Sequence, residues 1–109
     1  RYREESQGKT EASMMLIHLF GPGRFETGLL VCTRGVIGEI SEVDVAVAFN
    51  RHRQGDWGLV CEEDRLENEL SLEHGYRLMS VYDDSQGKRF WVITEADRSA
   101  TTFLLPEEY

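Results

Sequence analysis

Ionisable side chains gather at two places in the chain, and each place has the make-up of a binding or acid–base site. Between Asp56 and Glu73 seven carboxylates face a single arginine, Arg65. Glu62, Glu63 and Glu67 lie near the middle of that run. Such an excess of one sign gives an electronegative surface suited to a basic protein partner, or one that imitates nucleic-acid phosphates. It also has a structural reading, a solvated helix face whose acidic first turn complements the helix dipole. A purely structural surface usually interleaves both signs, so the excess keeps the binding reading open. The second cluster, Glu95-Ala96-Asp97-Arg98-Ser99, sets two carboxylates beside a cation. Paired carboxylates can divide general-acid and general-base work. The same residues can instead build an Asx turn in which Arg98 pairs with Asp97 or Glu95. No histidine lies nearby in sequence to make a triad. Asp56 and Trp57, in the turn Gly55-Asp56-Trp57-Gly58, are the residues that would join this cluster in a small ligand-binding or enzymatic cleft.

The remaining chemistry-bearing residues are dispersed. Among His18, His52, His74, Cys32 and Cys61 no two lie closer than nine positions apart, whereas zinc ligands pair at spacings of about two to four. No metal and no cofactor is expected. His52 and His74 fall near helix ends, where polar side chains suit the dipole. The two cysteines are too few for a disulfide framework and read as reduced cytosolic thiols. Gly21-Pro22-Gly23 and Gly35 match neither the phosphate-loop nor the dinucleotide fingerprint. Trp57 and Trp91 are large enough to stack on a ligand, but in a chain this short such rings mostly fill the core.

The elements that must position these residues can be read from periodicity. Leu29 to Thr33 is a short apolar, β-branched run, a strand. A helix follows Ser41 as N-cap, with Glu42 and Asp44 in its first turn, Arg51 and Arg53 in its last, and Gly55 as the stop. Its apolar positions form a broad stripe of two adjoining faces, Val43-Ala46-Val47 and Val45-Ala48-Phe49-His52. A second helix spans about Glu62 to His74, closed by Gly75. Leu59, Leu66 and Leu70 are spaced to face one way, Leu72 lies to one side, and the other faces are nearly all carboxylate. From Tyr76 the period changes to two, with Leu78, Ser80 and Tyr82 on one side. Asp83 to Gly87 makes a hairpin turn, Lys88 to Glu95 the return strand, and Thr101 to Leu105 a last strand stopped by Pro106. The expected fold is α+β, with two helices packed on a three- to four-stranded antiparallel meander sheet. Residues 1–13 read as a disordered leader or a remnant outside the native fold, and 14–109 as a single α+β domain.

Size and charge narrow the function classes. At 109 residues the chain fits one domain, and 40% hydrophobic content can build a core without staples. No apolar run reaches the ~20 residues of a membrane helix. A net charge of −8 disfavours direct non-specific binding to nucleic acid, which needs Lys and Arg on phosphates.

Several segments together resemble a known family. They are Gly55-Asp56-Trp57-Gly58, Glu62-Glu63-Asp64, Asn68-Glu69, Gly75 to Tyr82, Trp91 to Ser99, Thr101-Thr102 and the ending Leu105-Pro106-Glu107-Glu108-Tyr109. The set resembles a family of small bacterial proteins found on plasmids and other mobile elements, whose members carry no established mechanism. The likeness runs over about 29–109. It implies a bacterial, cytoplasmic protein often encoded near mobile DNA. The expected function is a non-enzymatic accessory protein that binds a basic protein through its acidic helix. The alternatives are a small ligand-binding domain or enzyme using Asp56, Trp57, Glu95, Asp97 and Arg98, and a structural homodimer in which the last strand pairs edge to edge.

Overall fold

A computed structural model of the chain describes residues 4–6 and 22–109. The expectation for the rest of the leader falls outside the described residues. Within them the fold is α+β, as the alternation of periods predicts. Strands β1 (Glu4–Ser6), β2 (Leu29–Thr33), β3 (Leu78–Asp83), β4 (Arg89–Thr94) and β5 (Ala100–Leu104) form one sheet in the order β1-β2-β5-β4-β3. Among the described residues three helices accompany them, α1 (Arg34–Glu39), α2 (Glu42–Arg53) and α3 (Glu62–His74), and a 3-10 turn, Pro106–Glu108, follows the last strand.

The last three strands make the expected antiparallel meander, with Leu78 opposite Thr94 and Trp91 opposite Leu104. The sheet as a whole is not a pure meander. β2 joins β5 in parallel, Leu29 opposite Ala100 and Cys32 opposite Phe103. That makes β5 an interior strand, and Thr101 to Leu104 are all buried, the profile of a strand covered on both faces. Pairing of the last strand with a second copy is therefore closed off, because both its edges are used.

The core lies between the sheet and helices α1 and α2, and gathers Leu30, Val36, Ile40, Ala48, Phe49, Phe90, Val92 and Phe103. Of the two apolar faces offered by α2, the sheet takes Ala48, Phe49 and His52, while Val43 and Val47 stay exposed. α1 has no sequence signature of its own, since Gly35 and Gly38 lower helix propensity by about 1 kcal/mol each. Its first turn is capped by the residue before it and by the carboxylate of the last turn of the chain. The Thr33 hydroxyl accepts from Val36 N, and the Glu108 carboxylate accepts from Gly35 N and Leu105 N and from the Thr33 hydroxyl. Burial opposes ionisation of Glu108, but those three donors together hold its pKa below the ordinary value. Glu108→Gln keeps the shape and loses the charge-assisted bonds, so it should cost about 1–2 kcal/mol in urea denaturation, with little change in slope.

Candidate functional site

α3 is built as its sequence prescribes at both ends. The Cys61 sulfur accepts from Asp64 N at the N-cap, three acids fill the first turn, and Gly75 closes the helix in the left-handed region at φ 78°. What it buries is unexpected. The residues turned to the protein are polar, Asn68 and Ser71. The Asn68 amide donates to Met79 O at 2.8 Å and accepts from Met79 N at 3.1 Å. It thus replaces one residue of a neighbouring strand along the outer edge of β3. Two positions on, Val81 N donates to Trp57 O and Leu59 N donates to Val81 O. The open edge of the sheet is in this way occupied by a side chain and a turn.

Leu66 and Leu70 do share a face, and it is the solvent face, while Leu72 is half-buried on the side of Asn68. Leu66 and Leu70 lie one turn apart, opposite Asn68 and Ser71, and remain 51% and 50% exposed. At ~100° per residue, Glu63 and Glu67 flank this ridge on one side and Glu62 and Glu73 on the other. Glu62 takes the Arg65 guanidinium in two bonds of 2.9 and 2.6 Å, and Arg65 holds its carboxyl below the usual range. Glu69 points elsewhere. It accepts from Arg24 at 3.0 Å and from the Trp57 indole at 2.9 Å, and Arg24 first, then Trp57, lowers its pKa. Of the acidic candidates, Glu62, Glu63 and Glu67 are therefore together on one exposed, partly apolar face.

The second constellation is only partly assembled. Trp57 is buried, stacked on Phe25 at 6.1 Å, and the Arg98 guanidinium lies over the same Phe25 ring at 5.9 Å. The two loops thus meet through Phe25. Their carboxylates are each held by a local partner. Asp56 binds Arg51 at 2.7 Å and Gly58 N at 3.2 Å, and its pKa is lowered chiefly by Arg51. Glu95 lies 3.8 Å from Arg77. Asp97 accepts from Ser99 N at 3.0 Å, and the Ser99 hydroxyl first, then that N–H, lowers its pKa. The turn forms as an Asx turn, but Arg98 turns to backbone carbonyls and not to Asp97 or the Glu95 carboxylate. Arg98 itself sits at φ 61° and donates to the carbonyls of Tyr76, Glu95, Ala96 and Ser71. It ties the end of α3 to the β4–β5 loop through both of its terminal nitrogens.

His52, expected as a polar residue at a helix end, is instead wholly buried at the centre of a hydrogen-bond chain. Its Nδ1 lies 2.6 Å from Ser80 Oγ and its Nε2 2.9 Å from Thr94 Oγ1. Thr94 Oγ1 is 2.7 Å from Thr101 Oγ1, which donates to Thr27 O at 2.7 Å. That last bond fixes every proton. Thr101 spends its proton on a carbonyl, so Thr94 must donate to Thr101, and Nε2–H must donate to Thr94. Nδ1 is then the acceptor and Ser80 the donor. Burial first, and the charge of Arg98 second, push the His52 pKa down to about 3. Phe25 and Trp57 close over the imidazole edge to face, at 5.3 and 5.8 Å.

Neither His52 nor Asn68 was singled out by residue type. The available signal was Ser80 and Thr94 on inward-facing strand positions, where a hydroxyl requires a partner. Cys32 is a free thiol raised to about 11 by burial, and Cys61 is free and exposed. Among the described residues no group of three His, Cys, Asp or Glu side chains could hold a metal ion, and no helix is long and apolar enough to cross a membrane. No family model, curated protein or solved structure matches the chain.

Proposed function

We propose that the chain is a non-enzymatic binding module that engages a basic protein through the outward face of α3. One observation carries this reading. The helix is anchored by polar side chains, and it turns two half-exposed leucines and four surrounding carboxylates to solvent. A helix that used its leucines for folding would show the reverse arrangement. The bacterial, cytoplasmic setting near mobile DNA rests on the family resemblance alone, and in that setting nucleases and DNA-binding proteins are the basic proteins at hand.

The rival reading, a ligand-binding or enzymatic cleft, has Trp57 and Arg98 against one ring in its favour. Against it, Asp56, Glu95 and Asp97 are already engaged, and both terminal nitrogens of Arg98 donate to backbone carbonyls.

The test is affinity capture with the full chain at low and high salt, beside the variant Glu62→Lys/Glu63→Lys/Glu67→Lys. Circular dichroism should first show that the variant keeps its helices. The expected result is a basic protein retained at low salt, released by high salt, and missed by the variant. Capture that is indifferent to the three charge reversals refutes the reading.

A further inference from the structure

We propose that what docks on this face is a basic amphipathic helix, lying along α3 with its apolar positions on Leu66 and Leu70. The proposal rests on the reading of the chain as a protein-binding module and specifies the partner's form.

The dimensions fit a helix better than an extended peptide. α3 has 13 residues, about 20 Å at 1.5 Å per residue. Its ridge repeats at i and i+4, and side chains at that spacing interlock with the same spacing on a second helix. The two carboxylate flanks then lie beside the partner's own flanks. Lys and Arg there can lay their methylenes over Leu66 and Leu70 while their charged ends reach Glu63 and Glu67, or Glu62 and Glu73. The partner's signature is therefore two or more apolar residues at i, i+4 or i, i+3, i+7 spacing, bordered by basic residues over about three to four turns.

Charge decides between occupants. A second copy would set the carboxylates of one α3 against those of another, in a chain whose net charge is already −8. Like charges facing one another oppose that pairing. A basic helix meets the opposite situation on both flanks. The remaining candidate is the chain's own apolar segment 14–20. Arg24 is bonded to Glu69 on α3, so this segment is within reach of the ridge by chain length, but it offers no Lys or Arg to the carboxylates.

The experiment uses the full chain with methyl-labelled leucines. One probe is a synthetic Lys/Leu peptide of about four turns with one apolar face, and the other is the same composition scrambled so that no face forms. Support consists of saturable binding of the amphipathic peptide, with shifts at Leu66 and Leu70. The scrambled peptide should bind at least ~10-fold more weakly, and Leu66→Ala/Leu70→Ala should weaken binding by about 10-fold or more. Both leucines are half exposed, so that variant should fold normally. If the scrambled peptide binds equally well, charge alone governs the face. The helix inference is then overturned, and the basic-partner reading still stands. If neither peptide binds, the inference falls, and the capture experiment decides the fate of the module reading. Contacts between the Leu66 or Leu70 methyls and residues 14–20 in the free chain also overturn it. So does self-association abolished by Leu66→Ala/Leu70→Ala, because the face would then already be taken.

Discussion

Acidification between pH 6.5 and 4.5 should destabilise this protein by about 2 kcal/mol through His52 alone. In the folded state the imidazole is wholly buried and its pKa is depressed to about 3 against an ordinary 6.5. Above pH 6.5 both folded and unfolded states hold it neutral, and it adds no pH dependence. As pH falls below 6.5 the unfolded chain takes up a proton that the folded chain refuses. Stability then drops by about 1.4 kcal/mol per pH unit until pH nears 3. The proton is refused first because the ring is wholly buried away from water and second because the charge of Arg98 opposes it, and taking it up would also force Ser80 to turn its hydroxyl proton away from Nδ1. Carboxylates held below their ordinary pKa, such as Glu69 and Asp56, contribute in a lower window, as pH falls through the usual carboxylate range. Most of the fall from pH 6.5 to 4.5 therefore comes from His52, with the glutamates held below 4.5 entering only near its lower end. Urea midpoints across that interval should fall for the native chain. They should be nearly flat for His52→Gln, which starts about 2–3 kcal/mol less stable at neutral pH because buried hydrogen bonds are lost. A native chain with level midpoints across the interval would mean that the ring titrates normally and the hydrogen-bond chain is mis-assigned.

The same residue shows where sequence stops informing structure. The limits of α3 are legible because they are local: an acidic first turn and a glycine able to take φ 78°. The β3–β4 hairpin was legible for the same reason, since its alternation and turn lie within one short window. His52 was not, because its partners are 28 and 42 residues away. α1 was hidden likewise. Gly35 and Gly38 argue against a helix, and its stabilising carboxylate, Glu108, lies 73 positions further on. The parallel β2–β5 pair has no local turn to announce it. For the candidate site, the leucine spacing on α3 was visible, but which side met the sheet was not. Spacing gives the existence of a face and nothing of its direction. The direction is set by Asn68, whose amide happens to match the free N–H and C=O of Met79.

That dependence makes Asn68→Asp the most informative single change at the site. The substitution is nearly isosteric and keeps the oxygen that accepts from Met79 N. It replaces the donor to Met79 O with a second oxygen, set 2.8 Å from a carbonyl in a site only 5% exposed. One bond becomes a repulsion and a charge is buried, so a loss of about 2–4 kcal/mol is expected at neutral pH. Burial will raise the pKa of the new carboxyl, and once protonated it can donate to Met79 O. The stability gap between native and variant should therefore narrow as pH falls towards 4, while both chains lose the His52 contribution equally. A gap that is constant with pH would point to a steric cause and contradict the amide assignment. Two local effects should accompany the global one. The Met79 amide should exchange with deuterium faster, as α3 lifts from the edge. Binding of a basic helix should weaken although no carboxylate or leucine of the face has changed, because the ridge is presented only while Asn68 holds the helix to β3. Asn68→Ala removes both bonds without adding a charge. It should show the same weakened binding with no narrowing of the gap at low pH, and it leaves β3 open to edge-to-edge association at high concentration.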